Sequence, residues 1–272
     1  MNEHLPDPDG PTVNADMPSA SRVYDYLLGG AHNFGADRAL ATPLKKQVPR
    51  VTRAAQHNRA FLRRAVQHLL DHGIRQFLDL GSGIPTVGNV HDIAARYDPR
   101  CTVVYIDNDP VAIAGSQLLL RDSPNAAAVQ ADLRDVDTVL SHSAVRAHLD
   151  FDQPVAVLMC AVLHFLDQDD DPAGIVRRYL DGLPPGSYLA ITHLTADDHP
   201  HDVAAAIDLY RNGGIALTAR TKAEIAALFT GTTLVAPEVV HTSQWRPDSL
   251  DDPEDPTHSL SYAGLATTVD AS

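Results

Sequence analysis

Five short apolar runs recur at intervals along the middle of the chain, and this rhythm constrains the fold more than any other feature. They are "IRQFLDL" (Ile74 to Leu80), "CTVVYID" (Cys101 to Asp107), "AAAVQAD" (Ala126 to Asp132), "PVAVLMCAVL" (Pro154 to Leu163) and "SYLAITHL" (Ser187 to Leu194). Each is of strand length and apolar almost throughout. A strand with one wet face alternates, whereas one covered on both faces does not need to. The stretches between them, 86–97, 110–121, 135–149 and 172–183, have helical spacing. Strands alternating with helices predict a parallel sheet with helices on both faces.

The flanks complete the plan. Residues 50–72 carry Ala54, Phe61, Leu62, Ala65, Val66, Leu69 and Leu70 at helical spacing, with Gly73 as the stop. After the fifth run the pattern changes: "KAEIAALF" (222–229) reads as a helix, and "TLVAPEVVH" (233–241) and "SLSYAGLATTV" (259–269) read as strands with no helix between them. The Pro- and Asp-rich "SQWRPDSLDDPEDPTHS" that separates these two strands is a long loop. The predicted fold class is therefore α/β: a doubly wound, mostly parallel seven-stranded sheet with an N-terminal helical extension and an antiparallel C-terminal edge strand. Residues 1–18 read as a flexible leader, 19–73 as a helical extension or lid, and 74–272 as the catalytic domain.

Composition narrows the function. The balance of 35 Asp+Glu against 21 Lys+Arg counts against a broad nucleic-acid face. No run of about 18 apolar residues predicts a membrane span. The start "MNEHLPDPDGPTVNADMPSA" lacks the basic and apolar blocks of a signal peptide. Cys101 and Cys160 lie in apolar runs, as reduced thiols would, so a cytoplasmic setting is expected. No metal site is expected.

The chemistry centres on "FLDLGSGIPTVGN". Gly81 and Gly83 allow a tight strand-to-helix turn and close approach of a ligand, and Pro85 and Thr86 can open the next helix. Asp79, two residues before the first glycine, suits a ligand with a positive group better than a pyrophosphate. Asp107, at the second strand's end, can accept from both hydroxyls of a ribose. Asp132, at the third, can accept from an exocyclic adenine amine, with the Leu133 N–H reaching a ring nitrogen. Together they describe an adenosine site without phosphate. Any one of these acids alone could equally cap a helix.

These motifs resemble those of class I S-adenosylmethionine-dependent methyltransferases over roughly Ile74 to Val269: "LDLGSG" the first motif, "VVYID" the second and "QADLRD" the adenine-side motif. "RVYDYLLGGAHNFGADR", "NRAFLRRAV" and "RQFLDLGSGIPT" resemble more closely an actinobacterial methyltransferase family long carried as a domain of unknown function. The chain departs from the superfamily at Pro85, where a third glycine often stands. The resemblance implies a Rossmann-like fold and S-adenosyl-L-methionine as cofactor. It places Gly81, Ser82 and Gly83 along the methionine moiety and Asp79 on its amino group. Asp107 takes the ribose, Asn108, Asp132 and Leu133 the adenine, and Cys160 and Ala161 line the methyl-donor pocket.

The acceptor is less legible. "MCAVLHFLDQ" lacks the Asn/Asp-Pro-Pro-aromatic motif of nucleic-acid amine methylases, whereas "VLHFL" is similar to the same place in small-molecule methyltransferases. A small-molecule acceptor is expected, with no nucleic acid and no membrane partner. His164 and Tyr24 are the candidate catalytic residues; a structural hydrogen-bonding role for His164 stands beside that reading, and His193 is a weaker candidate. The early stretch "SRVYDYLLGGAHNFGADR" (21–38) reads as a lid: Tyr24, Tyr26 and Phe34 as a roof, Gly29 and Gly30 as a bend, His32 and Asn33 as hydrogen-bonders. Its alternative is a helical flank packed on the sheet. Asn58 and Arg59 are assigned to the same site, Arg59 as an anchor for the methionine carboxylate, or as an exposed helix position. Two rival functions remain: a nicotinamide-dependent oxidoreductase, disfavoured by Asp79 and Thr86, and a cofactor-binding protein without catalysis.

Overall fold

The computed structural model describes residues 14–84, 88–249 and 255–268. Within them the five runs become parallel strands: β1 (Gln76–Leu80), β2 (Thr102–Asp107), β3 (Ala126–Gln130), β4 (Ala156–Cys160) and β5 (Tyr188–Leu194). The C-terminal part adds β6 (Thr232–Leu234), β7 (Val240–His241) and β8 (Ser261–Thr268). Strand order is β3-β2-β1-β4-β5-β8-β6, with β7 also paired to β8. β8 runs antiparallel to β5, with Ile191 opposite Gly264, and to β6 and β7. The expected seven-stranded sheet thus gains a two-residue strand. The "TLVAPEVVH" run is broken because Pro237 has no N–H for a ladder and Glu238 takes φ 65°.

Three helices precede the sheet: α1 (Ala20–Leu27), α2 (Gly35–Gln47) and α3 (Val51–Asp71). Further helices follow the strands: α4 (Val90–Tyr97), α5 (Pro110–Leu119), α6 (Val136–Ser141), α7 (Ser143–His148), α8 (Pro172–Asp181), α9 (Pro200–Asn212) and α10 (Lys222–Ala227). The helix expected over 135–149 is divided at His142, whose extended backbone (ψ 135°) ends one helix while its ring accepts from Ala144 N–H and starts the next. Pro85, Thr86 and most of the leader lie outside the described residues.

Apolar side chains from both faces of the sheet form two cores. Leu78, Leu80, Val104 and Ile106 lie in one; Phe77, Val103, Tyr105 and Leu158 lie in the other, under α3, where Phe61 meets Trp245 edge-on at 5.3 Å. A third core holds Val23 and Leu27 of α1, Leu40 and Leu44 of α2, and Val203, Ala206 and Tyr210 of α9. The N-terminal helices therefore share a core with α9, which sequence reading left unassigned. The signal was there: Pro200 at the helix start, then Val203, Ala206 and Tyr210 at spacings of three and four.

Strand order reverses between β2-β1 and β4-β5, so the crevice at the carboxyl ends of β1 and β4 is where a doubly wound sheet takes its ligand. The α1/α2/α9 layer stands over that edge.

Candidate active site

A cavity of about 600 Å³ occupies this edge. At the exit of β1, the N–H groups of Gly81 and Ser82 both donate to Ile106 O of β2 (2.8 and 3.1 Å), which pins the turn to the neighbouring strand. Gly81 and Gly83 sit at φ 69° and 65°. A Cβ on Gly81 would fall 2.2 Å from Val162 Cγ2, so this turn admits only glycine there, whereas Gly83 opens towards α1, with Ser21 Cβ at 4.0 Å. The Gly83 N–H donates to Asp107 Oδ2 (2.7 Å), and the Asp109 N–H to Asp107 Oδ1 (2.8 Å). The Asp107 carboxylate thus shapes two loops while keeping lone pairs towards the cavity.

Two acids at adjacent strand ends are almost fully buried. Burial pushes Asp79 up to about 7, with the Asp107 charge adding to it and Arg59 opposing it. Burial likewise lifts Asp107 to about 6, against the hydrogen bonds it receives. Between them, Ser82 Oγ is buried with no hydrogen-bond partner among the described residues. Buried carboxylates and an orphan hydroxyl around a glycine turn are costly unless a ligand completes them. Arg59 stands on the same wall, its guanidinium 3.4 Å from Gly88 O.

Further along, Asp132 is gripped by its neighbour: Arg134 donates through its backbone N–H, Nε and Nη2 at 2.6–3.0 Å, and its Nη1 reaches Asp170 at 3.1 Å. Those bonds hold the Asp132 carboxyl below its ordinary range. Asn108 and Leu133 line the cavity beside it.

The end of β4 carries a chain of hydrogen bonds that sequence reading missed. Ala161 adopts φ 56°, and its N–H donates to Thr192 Oγ1 (2.7 Å). Thr192 Oγ1 donates to Asn58 Oδ1 (2.6 Å), Asn58 Nδ2 to Tyr24 Oη (2.8 Å), and Tyr24 Oη to Ala55 O (3.1 Å). The relay joins β4, β5, α3 and α1. Burial, the largest influence, pushes the Tyr24 phenol up to about 12. Burial also raises the Cys160 thiol, which makes it unreactive.

His164 sits in a 3₁₀ turn, Leu163–Phe165, and lines the cavity. Burial, then His193 and Arg220, lowers its pKa well below the ordinary value. Its Nδ1 faces Leu194 N–H at 3.4 Å, which assigns the ring proton to Nε2 and makes that nitrogen a donor. His193 does not line the cavity; its Nε2 accepts from Arg220 Nη1 (2.7 Å) and its Nδ1 donates to Leu194 O (2.8 Å).

Only part of the expected lid reaches the cavity. Ser19, Ala20, Ser21, Tyr24 and Leu27 of the α1 segment line it; Tyr26, Gly29, Gly30, His32, Asn33 and Phe34 do not. The "GGAHN" turn is instead built around Asp25, whose side chain is fully buried. His32 N–H and Asn33 Nδ2 both donate to Asp25 Oδ2 (2.9 Å), and Gly30 N–H donates to Asp25 O (2.9 Å). Gly29, not Gly30, has the positive φ, 83°. Tyr26 lies under the Lys45 ammonium, and Phe34 under the Arg22 guanidinium. Arg22, itself buried, bridges Asp37 of α2 (2.9 Å) and Asp109 (3.2 Å), and Ser19 and Ser21 donate to the same Asp109. α1 is thereby fastened two residues from Asp107.

A parallel sheet in this order, closed by an antiparallel edge strand and carrying acids at the ends of β1 and β2 beside a glycine turn, defines an adenosine-cofactor methyltransferase fold. The family model described as S-adenosyl methyltransferase matches residues 7–269. The chain is similar to a DUF574 family protein from Streptomyces avermitilis (37% identity over 94% of this chain and 100% of that one, TM-score 0.90). It is also similar to a protein from Thermobifida fusca described as a candidate methyltransferase (41% identity, 93% and 96% covered, TM-score 0.88). The plantazolicin methyltransferase BpumL, solved with S-adenosylhomocysteine, shares the fold at 14% identity over 91% of this chain and 95% of that one, with a TM-score of 0.51. No curated protein matches. The chain belongs to the S-adenosyl methyltransferase family and is an S-adenosylmethionine-dependent methyltransferase. Its cofactor is S-adenosyl-L-methionine, and the buried acids and the orphan Ser82 hydroxyl suit that cationic ligand. Neither rival function gains support from these relatives. No helix among the described residues is long and apolar enough to cross a membrane.

Proposed function

We propose that this enzyme methylates a small molecule held between the strand ends and the α1/α3/α9 layer. One observation carries the reading: polar strand-end groups such as Asp79 and Asp107 and apolar helix side chains such as Leu27, Leu44 and Val203 line one and the same cavity. A macromolecular acceptor would need an open, usually basic surface; this chain carries a formal charge of −14. The protein works in the cytoplasm on this reading.

In this reading Asp79 holds the methionine ammonium and Arg59 its carboxylate, with Gly81, Ser82 and Gly83 passing alongside. Asp107 accepts from the ribose hydroxyls. Asn108 and the Leu133 N–H serve the adenine, Asp132 contributing less because Arg134 already occupies it. The bound cofactor supplies a methyl group activated by its own sulfonium, so the protein's task is alignment and exclusion of water. Tyr24 and His164 fit that task better than general-base catalysis. The Tyr24 hydroxyl donates to Ala55 O, and the weakly basic His164 presents a proton rather than a lone pair. Of the segment 21–38 only α1 serves as a lid, the turn after Leu27 being a structural clip, while α2 and α3 add Leu44, Val48 and Ala54 to the cavity wall.

Incubation with tritiated S-adenosylmethionine and a cell extract divided into low-mass filtrate and macromolecular retentate tests this. Label is expected in the filtrate. Label in protein or nucleic acid of the retentate overturns the proposal, and label in neither fraction with cofactor binding intact favours a non-catalytic binder.

A further inference from the structure

Tyr210 of α9 is 7% exposed, lines the cavity and makes no hydrogen bond to any described residue. Other buried tyrosines spend their hydroxyls on the protein: Tyr105 pairs with His91 (2.8 Å), and Tyr179 donates to Leu133 O (2.9 Å). A tyrosine whose ring is buried while its unpaired hydroxyl opens to a cavity is a handle for whatever enters. Tyr210 lines the same cavity as Tyr24 of α1 and Cys160 at the end of β4.

The surroundings specify what it grips. The helical wall here is Leu27, Leu44, Val48, Ala54, Val203 and Ala206, and the one charged residue that α1, α2, α3 and α9 contribute to the lining is Arg59, which the proposed reading gives to the cofactor's carboxylate. With Arg59 taken by the cofactor, an ionised group would lose its hydration there and find no second counter-ion on these helices. The rings of Tyr210, Phe165 and His164 follow one another at centroid spacings of 6.0 and 4.5 Å, a strip suited to an aromatic ring. Tyr210 Oη can donate to an acceptor atom on the entering molecule, beside the ring of His164, whose proton stands on Nε2.

We infer that this inner chamber is a subsite for an uncharged, flat, mainly apolar acceptor molecule, fixed by a hydrogen bond from Tyr210 Oη to an oxygen or nitrogen on it. The inference rests on the small-molecule reading above and adds the chemical class and its selector. Tyr210 is a specificity-determining residue in this account.

The test uses the full-length protein saturated with S-adenosylhomocysteine and three probes of similar shape: acetophenone, ethylbenzene and benzoate. Acetophenone is expected to bind best. Tyr210→Phe should weaken acetophenone roughly 5- to 15-fold, the effect of one lost neutral hydrogen bond, and leave ethylbenzene unchanged. Benzoate should bind at least about tenfold more weakly than acetophenone, the mark of an uncompensated buried charge. An unchanged affinity of Tyr210→Phe for S-adenosylhomocysteine certifies its fold; the tighter-packing Ala206→Phe should abolish binding of all three probes by filling the chamber. Benzoate binding tightest, equal weakening of acetophenone and ethylbenzene by Tyr210→Phe, or no binding of any probe overturns the inference. Labelled filtrate with no probe bound sinks the inference and leaves the proposed function standing. Labelled retentate with acetophenone bound as described does the reverse.

Discussion

Replacing Gly30 by alanine separates the clip from the lid. A Cβ built on Gly30 would lie 1.9 Å from Asp25 Oδ1 and 2.5 Å from its Cγ, closer than any real contact. Asp25 cannot yield cheaply: its side chain is fully buried and Oδ2 already accepts from His32 N–H and Asn33 Nδ2. Moving the carboxylate away breaks both bonds, each worth roughly 1.5–3 kcal/mol to a charged acceptor, so a loss of about 3–6 kcal/mol is expected. For a chain of this size that is roughly 5–10 °C in Tm. Gly29→Ala is the control. Gly29 has φ 83° but nothing within 4 Å of its would-be Cβ, so it should lose only the left-handed strain of about 1–2 kcal/mol. Urea unfolding of both variants, followed by circular dichroism, measures the difference. A Gly30→Ala protein within about 1 kcal/mol of wild type, or less perturbed than Gly29→Ala, would refute the steric argument. Because the turn lies off the cavity, the surviving folded fraction should bind S-adenosylhomocysteine with near-normal affinity; a selective loss of binding would return the turn to the lid.

Asp107→Ala should lower S-adenosylhomocysteine affinity by roughly one to three orders of magnitude and also destabilise the chain, since the N–H groups of Gly83 and Asp109 lose their acceptor; calorimetry showing wild-type affinity contradicts the ribose assignment. Asp79 binds a proton in the folded state up to pH about 7, where the unfolded chain has lost it near 4, so its burial is increasingly destabilising as pH rises through that window. The unfolding free energy of Asp79→Asn should therefore gain on wild type between those values, by up to about 4 kcal/mol, and level off above pH 7; a flat difference counts against it. Over the same window wild-type affinity for cationic S-adenosylmethionine should rise with pH, with a proton released on binding near pH 6 in paired-buffer calorimetry. Thr192→Val should cost roughly 2–4 kcal/mol, because it leaves the Ala161 N–H and Asn58 Oδ1 unpaired; Thr192→Ser should restore most of it, and equal Tm values for the two variants would dismiss the relay.

The parallel sheet was legible because burial on both faces leaves an apolar run with no gaps, as in "CTVVYID". The ligand-side acids were legible because a strand's end and the turn after it are local features: Asp79 with Gly81 and Gly83, Asp107 closing β2. The broken β6/β7 edge and the division at His142 were less so, since single backbone conformations decide them. Arg134's hold on Asp132 depends on a side chain two residues along folding back, which strand periodicity does not report.

By itself, the order of residues determined the strand and helix alternation, the glycine turn and the acids placed beside it, because each follows from contacts within a few positions. Only the tertiary structure decided that α9 closes the cavity with α1 and α2, and that Gly30 serves Asp25 rather than a ligand. It alone joined Thr192 to Asn58, 134 positions away, and left the Tyr210 hydroxyl without a hydrogen bond among the described residues. Which distant side chains share a hydrogen bond is settled by how the layers pack, and a hydroxyl's freedom is visible only once everything within its reach has been placed.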